Sequence, residues 1–447
     1  MKLSLDSVRE QIKFFPIARN FFSAAAIVLL LSSVSYCWYL GPLSFDGSRF
    51  TVLLFQSQHF HTELRPLHGL FQIPVLTLMR FLPKSPLVLV RVYFLTLVLP
   101  ILFVYSLRIW RARNQTELAI AAATLFVGVL PGLSFPMSSV FETSFFFTLM
   151  VYSYLFTKGK FGFYLGGAGV AFGHPIFIPA LFFFSLLVLI SSGKKLRELV
   201  FLFVLICISS YLTVKAIRYY PTGTGNSLQT ISSYFLEPGK PYTGILHVTV
   251  VFTLLTSTFI FLRHQPNWLW PLTMVVLLFL LIRYPGADAL HVGSFGYRIF
   301  TAFFIIFLMG FLCLFTLKPH KSLKTPYLLA LALVTIPYLY WNVVISRNYR
   351  RIFHSLSDLP HQEGCEVIRA SKLLSTYTQM SLPIEKLFVD NRQVVRSLVL
   401  SARNESEMDL CERVSADPHH LSIPIAPPYR LNIPIKGYFD FRGVVFR

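Results

Sequence analysis

The sequence predicts an all-α polytopic membrane protein of about 11 transmembrane helices, followed by a small C-terminal α+β domain outside the membrane. Three observations lead there. Only 13% of the 447 residues are charged and 54% are hydrophobic, whereas a soluble chain carries about 25% charged residues. The apolar residues fall in runs long enough to cross roughly 30 Å of hydrocarbon. The last hundred residues then change character, with 14 Lys or Arg against 11 Asp or Glu from Ser346 onward, while the first 345 residues hold only 9 acids.

The first apolar run, Phe21 to Leu40, follows about twenty polar residues and has a span's length rather than that of a signal h-region, so it reads as a retained anchor. Further runs cover Pro86 to Trp110, Leu118 to Ser134 and Glu142 to Phe156. Phe161 to Ile190 is too long for one helix and breaks at Gly173-His174-Pro175, giving two helices and a tight turn. The remaining runs are Leu199 to Lys215, Ile245 to Leu262, Trp268 to Leu281, Ile299 to Leu317 and Tyr327 to Ile345. The domains expected are residues 1–345 in the membrane, with an outer loop over 41–85, and residues 346–447 outside it.

The positive-inside rule sets the orientation. With the N-terminus cytoplasmic, the inner segments hold Arg9, Lys13 and Arg19, then Arg108, Arg111 and Arg113, then Lys158 and Lys160, then Lys194, Lys195 and Arg197. An odd number of spans places the C-terminal domain on the extracytoplasmic side. In that domain a helix is expected near Cys365 to Gln379 and a strand at Lys386 to Val389. Cys365 and Cys411 are either a disulfide, which that compartment permits, or two buried thiols. Cys37, Cys207 and Cys313 read as small apolar packing residues.

The net charge of +20 lies in short clusters between apolar runs. It forms no compact basic face, and neither zinc-finger spacing nor an RNP-like sequence or phosphate-binding loop accompanies it, which excludes a nucleic-acid partner. Membrane lipids with anionic headgroups account for it instead.

Candidate chemistry gathers on the outer face. The first loop holds Asp46 in Phe45-Asp46-Gly47-Ser48-Arg49-Phe50, then Gln58-His59-Phe60-His61-Thr62-Glu63-Leu64-Arg65-Pro66-Leu67-His68. Asp46 beside Arg49 reads either as an oriented general base or as an Asp-Gly turn. His59, His61 and Glu63 alternate, so on a strand they would share a face and could hold a divalent cation; otherwise the segment is a solvated loop and no metal or other cofactor is expected. Arg49 and Arg65 suit phosphate, which the guanidinium fork meets with two hydrogen bonds. Gly69 to Leu82 is expected to lie in the interface as an amphipathic helix. Glu142 follows a short outer turn; it either faces a cavity or opens a helix whose dipole favours an acid there. His174, Arg218 and Arg298 complete the outer polar set.

This arrangement resembles the GT-C class of integral membrane glycosyltransferases, which take sugars from polyprenyl-phosphate donors. The shared features are a first span leading into a long outer loop with an early acid (Asp46), an outer turn with a second acid (Glu142), a Gly-rich broken hairpin over Gly162 to Pro175, and a C-terminal domain outside. The resemblance implies a transferase in which Asp46 is the base for an acceptor hydroxyl and Glu142 shapes the acceptor pocket. Arg298, in Gly296-Tyr297-Arg298, or Arg49 would meet the donor phosphate, with Arg65, His59, His61, His174 and Arg218 as further substrate-binding residues. The expected partners are a lipid-linked sugar donor and a glycan, lipid or protein acceptor. Two departures stand out: Asp46 is followed by Gly47 rather than a second acid, and there is no DxD motif. A lipid-linked glycan or solute transporter and a non-catalytic membrane scaffold are the alternatives.

Overall fold

The computed structural model describes residues 5–43, 46–60, 66–82, 85–130, 133, 140–156, 160–191, 196–219, 324–359, 364–369, 378–395, 397–402, 415–416, 419–426 and 429–442. The expected spans at Ile245 to Leu262, Trp268 to Leu281 and Ile299 to Leu317 lie outside these residues, as do Cys313 and Cys411.

Helix α1 (Leu5–Trp38) starts well before the expected span. It buries Ala18, Phe22, Ala25, Leu29 and Tyr36, while Val28, Leu31, Val34 and Trp38 stay exposed on another face; both series follow the 3.6-residue period. Two short helices come next, α2 (Asp46–Ser57) and α3 (Pro66–Leu78). Helix α2 replaces part of the expected outer loop, because Phe50, Leu54 and Phe55 give it an apolar stripe to bury, while α3 overlaps the helix expected over Gly69 to Leu82. Helix α4 (Pro86–Trp110) has proline at its first position, where no backbone donor is lost. It packs on α1, and the Cys37 thiol donates to the Phe94 carbonyl.

Helix α5 (Gln115–Ala123) is capped by the Asn114 side chain, which accepts from the Glu117 N–H at 2.9 Å, and runs into a π-helical segment, Thr124–Val129. Helices α6 (Val140–Phe156), α7 (Phe161–Ala171), α8 (Ile178–Ser191) and α9 (Leu196–Tyr219) follow. The long apolar stretch breaks where Gly173-His174-Pro175 forecast. Helix α7 lies so close on α6 that a Cβ at Gly166 would meet the Met150 nitrogen at 2.5 Å and the Phe146 oxygen at 2.6 Å; small residues permit such backbone approach. Lys160 pairs with the buried Glu198 at the start of α9. Cys37 is buried as expected, but Cys207 is exposed.

Three helical stretches, Phe14–Trp38, Pro86–Trp110 and Leu196–Lys215, are long and apolar enough to cross a membrane. They mark the chain as a membrane protein that is largely helical among the described residues.

Helix α10 (Lys324–Ser357) passes the expected span end at Ile345 by three turns. It lies along α1: the Ser32 hydroxyl donates to the Asn342 carboxamide oxygen, and the Tyr36 and Tyr349 rings meet edge to face at 5.4 Å. Beyond it the expected elements are exchanged. Gly364–Arg369 is a strand, β1, and Thr378–Val389 is a helix, α11. The reason is legible in the side chains: Ile384, Leu387 and Phe388 recur at three- and four-residue spacing and are all buried on one face of α11. Strand β1 pairs in parallel with β2 (Ser397–Ala402), so β1-α11-β2 is a crossover unit. Strands β3 (Ser415–Ala416), β4 (His420–Ala426) and β5 (Tyr429–Pro434) form an antiparallel sheet.

The C-terminal segment is plugged onto α2. The Gln56 amide donates to the Pro434 and Phe439 carbonyls at 2.6 and 2.7 Å, and its oxygen accepts from the Phe439 N–H at 2.8 Å. Around it Phe55 packs on Phe388, Tyr438 and Phe439. The Leu87 N–H, at the start of α4, donates to the Asn391 side chain. Replacing Gln56 with Ala removes the partner of three backbone groups, and both Phe439 contacts are buried, so the substitution should cost about 2–3 kcal/mol. A lower unfolding midpoint of the detergent-solubilised chain and faster proteolysis beyond Gly364 are the expected readouts.

Candidate functional site

Helix α3 is mostly apolar, yet it carries His68 and Gln72 one turn apart, and both are buried. Two polar groups on one buried face need partners, because an unmatched buried polar atom costs about 1–3 kcal/mol. His68 finds Glu142, in the first turn of α6: its Nδ1 lies 2.7 Å from Oε1, with side-chain exposures of 2% and 0%. A carboxylate only accepts, so Nδ1 carries the proton and Nε2 is left to face the Tyr93 hydroxyl of α4 at 3.5 Å. Gln72 reaches that same hydroxyl. The ring of Phe50, from α2, meets the His68 ring at 5.9 Å and 61°.

The other oxygen of Glu142, Oε2, is buried and has no hydrogen-bond partner among the described residues. That makes it the natural acceptor for a donor brought by a ligand. The neighbouring Thr143 ties the site to the α7–α8 turn, accepting the His174 N–H at 2.8 Å. Gly173 is required there, since a Cβ would come within 2.3 Å of the Thr143 hydroxyl. The same turn also holds α3, because the Phe172 carbonyl accepts the Leu67 N–H. Four helices and one turn therefore converge on a single buried pair.

The sequence-selected residues fare unequally. Glu142 is at the centre: it lies in the first turn of α6, as the helix-opening reading expects, and it is buried. His174 is buried at the turn that braces the site. Asp46 opens α2 and so begins a helix instead of sitting within a turn; it precedes Phe50, the residue packed on His68, by four positions, about one helical turn. Arg49 is exposed on the same helix.

His59 is not brought in. It lies on an exposed bend past the far end of α2, about 18 Å of helix away from Asp46. It is not on a strand, so the alternation with His61 and Glu63 has no extended backbone at that position to express it. His61, Glu63, Arg65 and Arg298 lie outside the described residues, and Arg218 falls in the last turn of α9, where the backbone alone is described. No group of three or more His, Cys, Asp or Glu side chains that could hold a metal occurs among the described residues.

The sequence reading includes His68 at the end of the first-loop segment but gives it no role, and it does not single out Gln72, Tyr93 or Thr143. A signal existed for His68 and Gln72: a His and a Gln four residues apart in an otherwise apolar helix. Nothing local announced Tyr93 or Thr143. No protein-family model matches this chain, and no curated protein matches it.

Removing His68 isolates a buried carboxylate. His68→Ala should therefore lower stability by about 3–5 kcal/mol, read as the unfolding midpoint in detergent. The double replacement His68→Leu with Glu142→Leu removes both polar groups together and should cost less than His68→Ala alone.

Proposed function

We propose that the protein is a GT-C-like membrane glycosyltransferase that moves a sugar from a polyprenyl-phosphate donor to an acceptor on the extracytoplasmic face. In this reading the N-terminus is cytoplasmic, about eleven helices cross the membrane, and the C-terminal segment lies outside. The observation that carries the proposal is the convergence of α2, α3, α4, α6 and the α7–α8 turn on the buried His68–Glu142 pair, with one carboxylate oxygen left unmatched.

The chemistry is a displacement at the anomeric carbon. Asp46 takes the proton of an acceptor hydroxyl as its oxygen bonds to that carbon. The bond from the anomeric carbon to the phosphate oxygen breaks, and polyprenyl phosphate leaves with the electron pair. Glu142 accepts a second hydroxyl of the acceptor at Oε2 while His68 keeps its other oxygen in place. Arg49 and Arg298 neutralise the leaving phosphate, a task for which arginine is suited. A lipid-phosphate leaving group needs no divalent cation of the kind that balances a nucleotide diphosphate.

A transporter is the second reading, and the same pair favours it. A buried carboxylate and histidine in an apolar bundle are also what a proton relay uses. One experiment separates the two. The full-length chain is reconstituted in vesicles with polyprenyl-phosphate hexoses labelled in the sugar. The enzyme reading expects labelled product, and a loss of about 100-fold or more in Asp46→Asn, the usual range for a general base. Unchanged transfer by Asp46→Asn would falsify the assigned base. Movement of the intact labelled donor across the vesicle without release of polyprenyl phosphate would instead favour transport.

A further inference from the structure

One exposed face of α10 changes chemistry part-way along its length. Ile336, Tyr340 and Val343 form an exposed apolar stripe, with Tyr340 as much as 70% exposed. The next members of that stripe, at the same three- and four-residue spacing, are Arg347, Arg350, Arg351 and His354, all exposed. The opposite face stays buried throughout, through Ile345, Tyr349 and Leu356. So the change is not where the helix leaves the protein; it is where its surroundings change.

Helix α1, which lies beside α10, ends at Trp38 with no basic residue in its last turn. Its exposed stripe of Val28, Leu31 and Val34 ends at Trp38, which is 46% exposed. The two helices are aligned by the Tyr36–Tyr349 and Tyr39–Phe353 ring contacts. Trp and Tyr at the end of an apolar stripe mark the level of lipid headgroups.

The arginines are held there on aromatic platforms. Arg350 lies 5.6 Å from the centroid of the Tyr39 ring, and His354 also packs on Tyr39. Arg91, from α4, lies 4.2 Å from the Trp38 ring centroid, and its Nε donates to the Trp38 carbonyl at 2.9 Å. The ion pairs formed among the described residues include none of Arg91, Arg347, Arg350 and Arg351. Among the described residues, therefore, no ion pair neutralises these arginines.

We propose that Arg347, Arg350, Arg351 and His354, with Arg91 beside them, form a docking site for the phosphate of an anionic glycerophospholipid headgroup. From Arg347 to His354 the stripe rises about 10 Å, comparable to the roughly 5–8 Å of polar headgroup on one side of a bilayer. Isolated arginines at a boundary simply extend toward water. Four basic groups on one helical face, two of them fixed over rings, present the planar forks that phosphate oxygens accept. None of these residues belongs to the site around Glu142, and the proposal stands apart from the sugar-transfer reading.

The test is lipid retention by the purified full-length chain in detergent, read by native mass spectrometry. The probes are phosphatidylglycerol, phosphatidylcholine and polyprenyl phosphate, each added separately. The wild type should hold phosphatidylglycerol in preference to phosphatidylcholine. Arg347→Gln/Arg350→Gln/Arg351→Gln should lower that adduct roughly tenfold or more, as loss of several surface cations implies, with the unfolding midpoint unchanged. If the triple variant melts early, Arg350→Gln alone is read, with a smaller loss of the same adduct expected. Equal retention of the two glycerophospholipids by the wild type overturns the proposal. So does a variant that keeps phosphatidylglycerol, including one that loses polyprenyl phosphate alone, which would make the stripe a donor site.

Discussion

The hydrogen-bonded pair of His68 and Glu142 is the constraint around which the rest of the described fold is arranged. A carboxylate enclosed in an apolar bundle must be matched, and its partner comes from α3, a short helix that also buries Leu67 and Val75. Once His68 is buried, α3 is fixed, Phe50 of α2 is packed against the imidazole, and Tyr93 of α4 is drawn to the far ring nitrogen. The α7–α8 turn closes the arrangement through Thr143 and Leu67. Burying a polar pair of this kind contributes little net stability compared with apolar packing, whereas removing one partner strands the other.

The C-terminal segment enters this argument through α2. That helix is gripped at one end by the carboxamide of Gln56 and the aromatic cluster about Phe55, and at its other end it begins with Asp46. A helix between the two makes the C-terminal segment part of the framework that positions the start of α2. Helix α10 runs on past Ser346 without a break, and the segment beyond it returns to dock on α2.

Much of the helical framework was legible in the sequence because apolar run length and periodicity are local properties. The break at Gly173-His174-Pro175 was legible for the same reason, since glycine and proline act where they stand. The C-terminal elements were misread at Cys365 to Gln379 and Lys386 to Val389. There, short apolar runs fit helix or strand equally, and burial against α2 and β2 decides. Glu142 could be selected as an acid that needs a partner. That the partner is His68, 74 residues earlier, is a fact of tertiary packing that neither residue's neighbourhood encodes. The exposed basic stripe on α10 was hidden differently: its residues were counted as part of a balanced tail, and the helix that lines them up was expected to have ended at Ile345.

The central claim is that Glu142 holds the His68 imidazole through Nδ1 in an enclosed site. The measurement that meets it most directly is the solid-state nitrogen NMR spectrum of the full-length chain in bilayers, with histidine labelled at both ring nitrogens. The account requires one histidine with a strongly hydrogen-bonded Nδ1–H that resists exchange with solvent deuterium. That signal should be absent in His68→Ala and shifted in Glu142→Gln. A His68 signal that exchanges freely and does not respond to Glu142→Gln would contradict it.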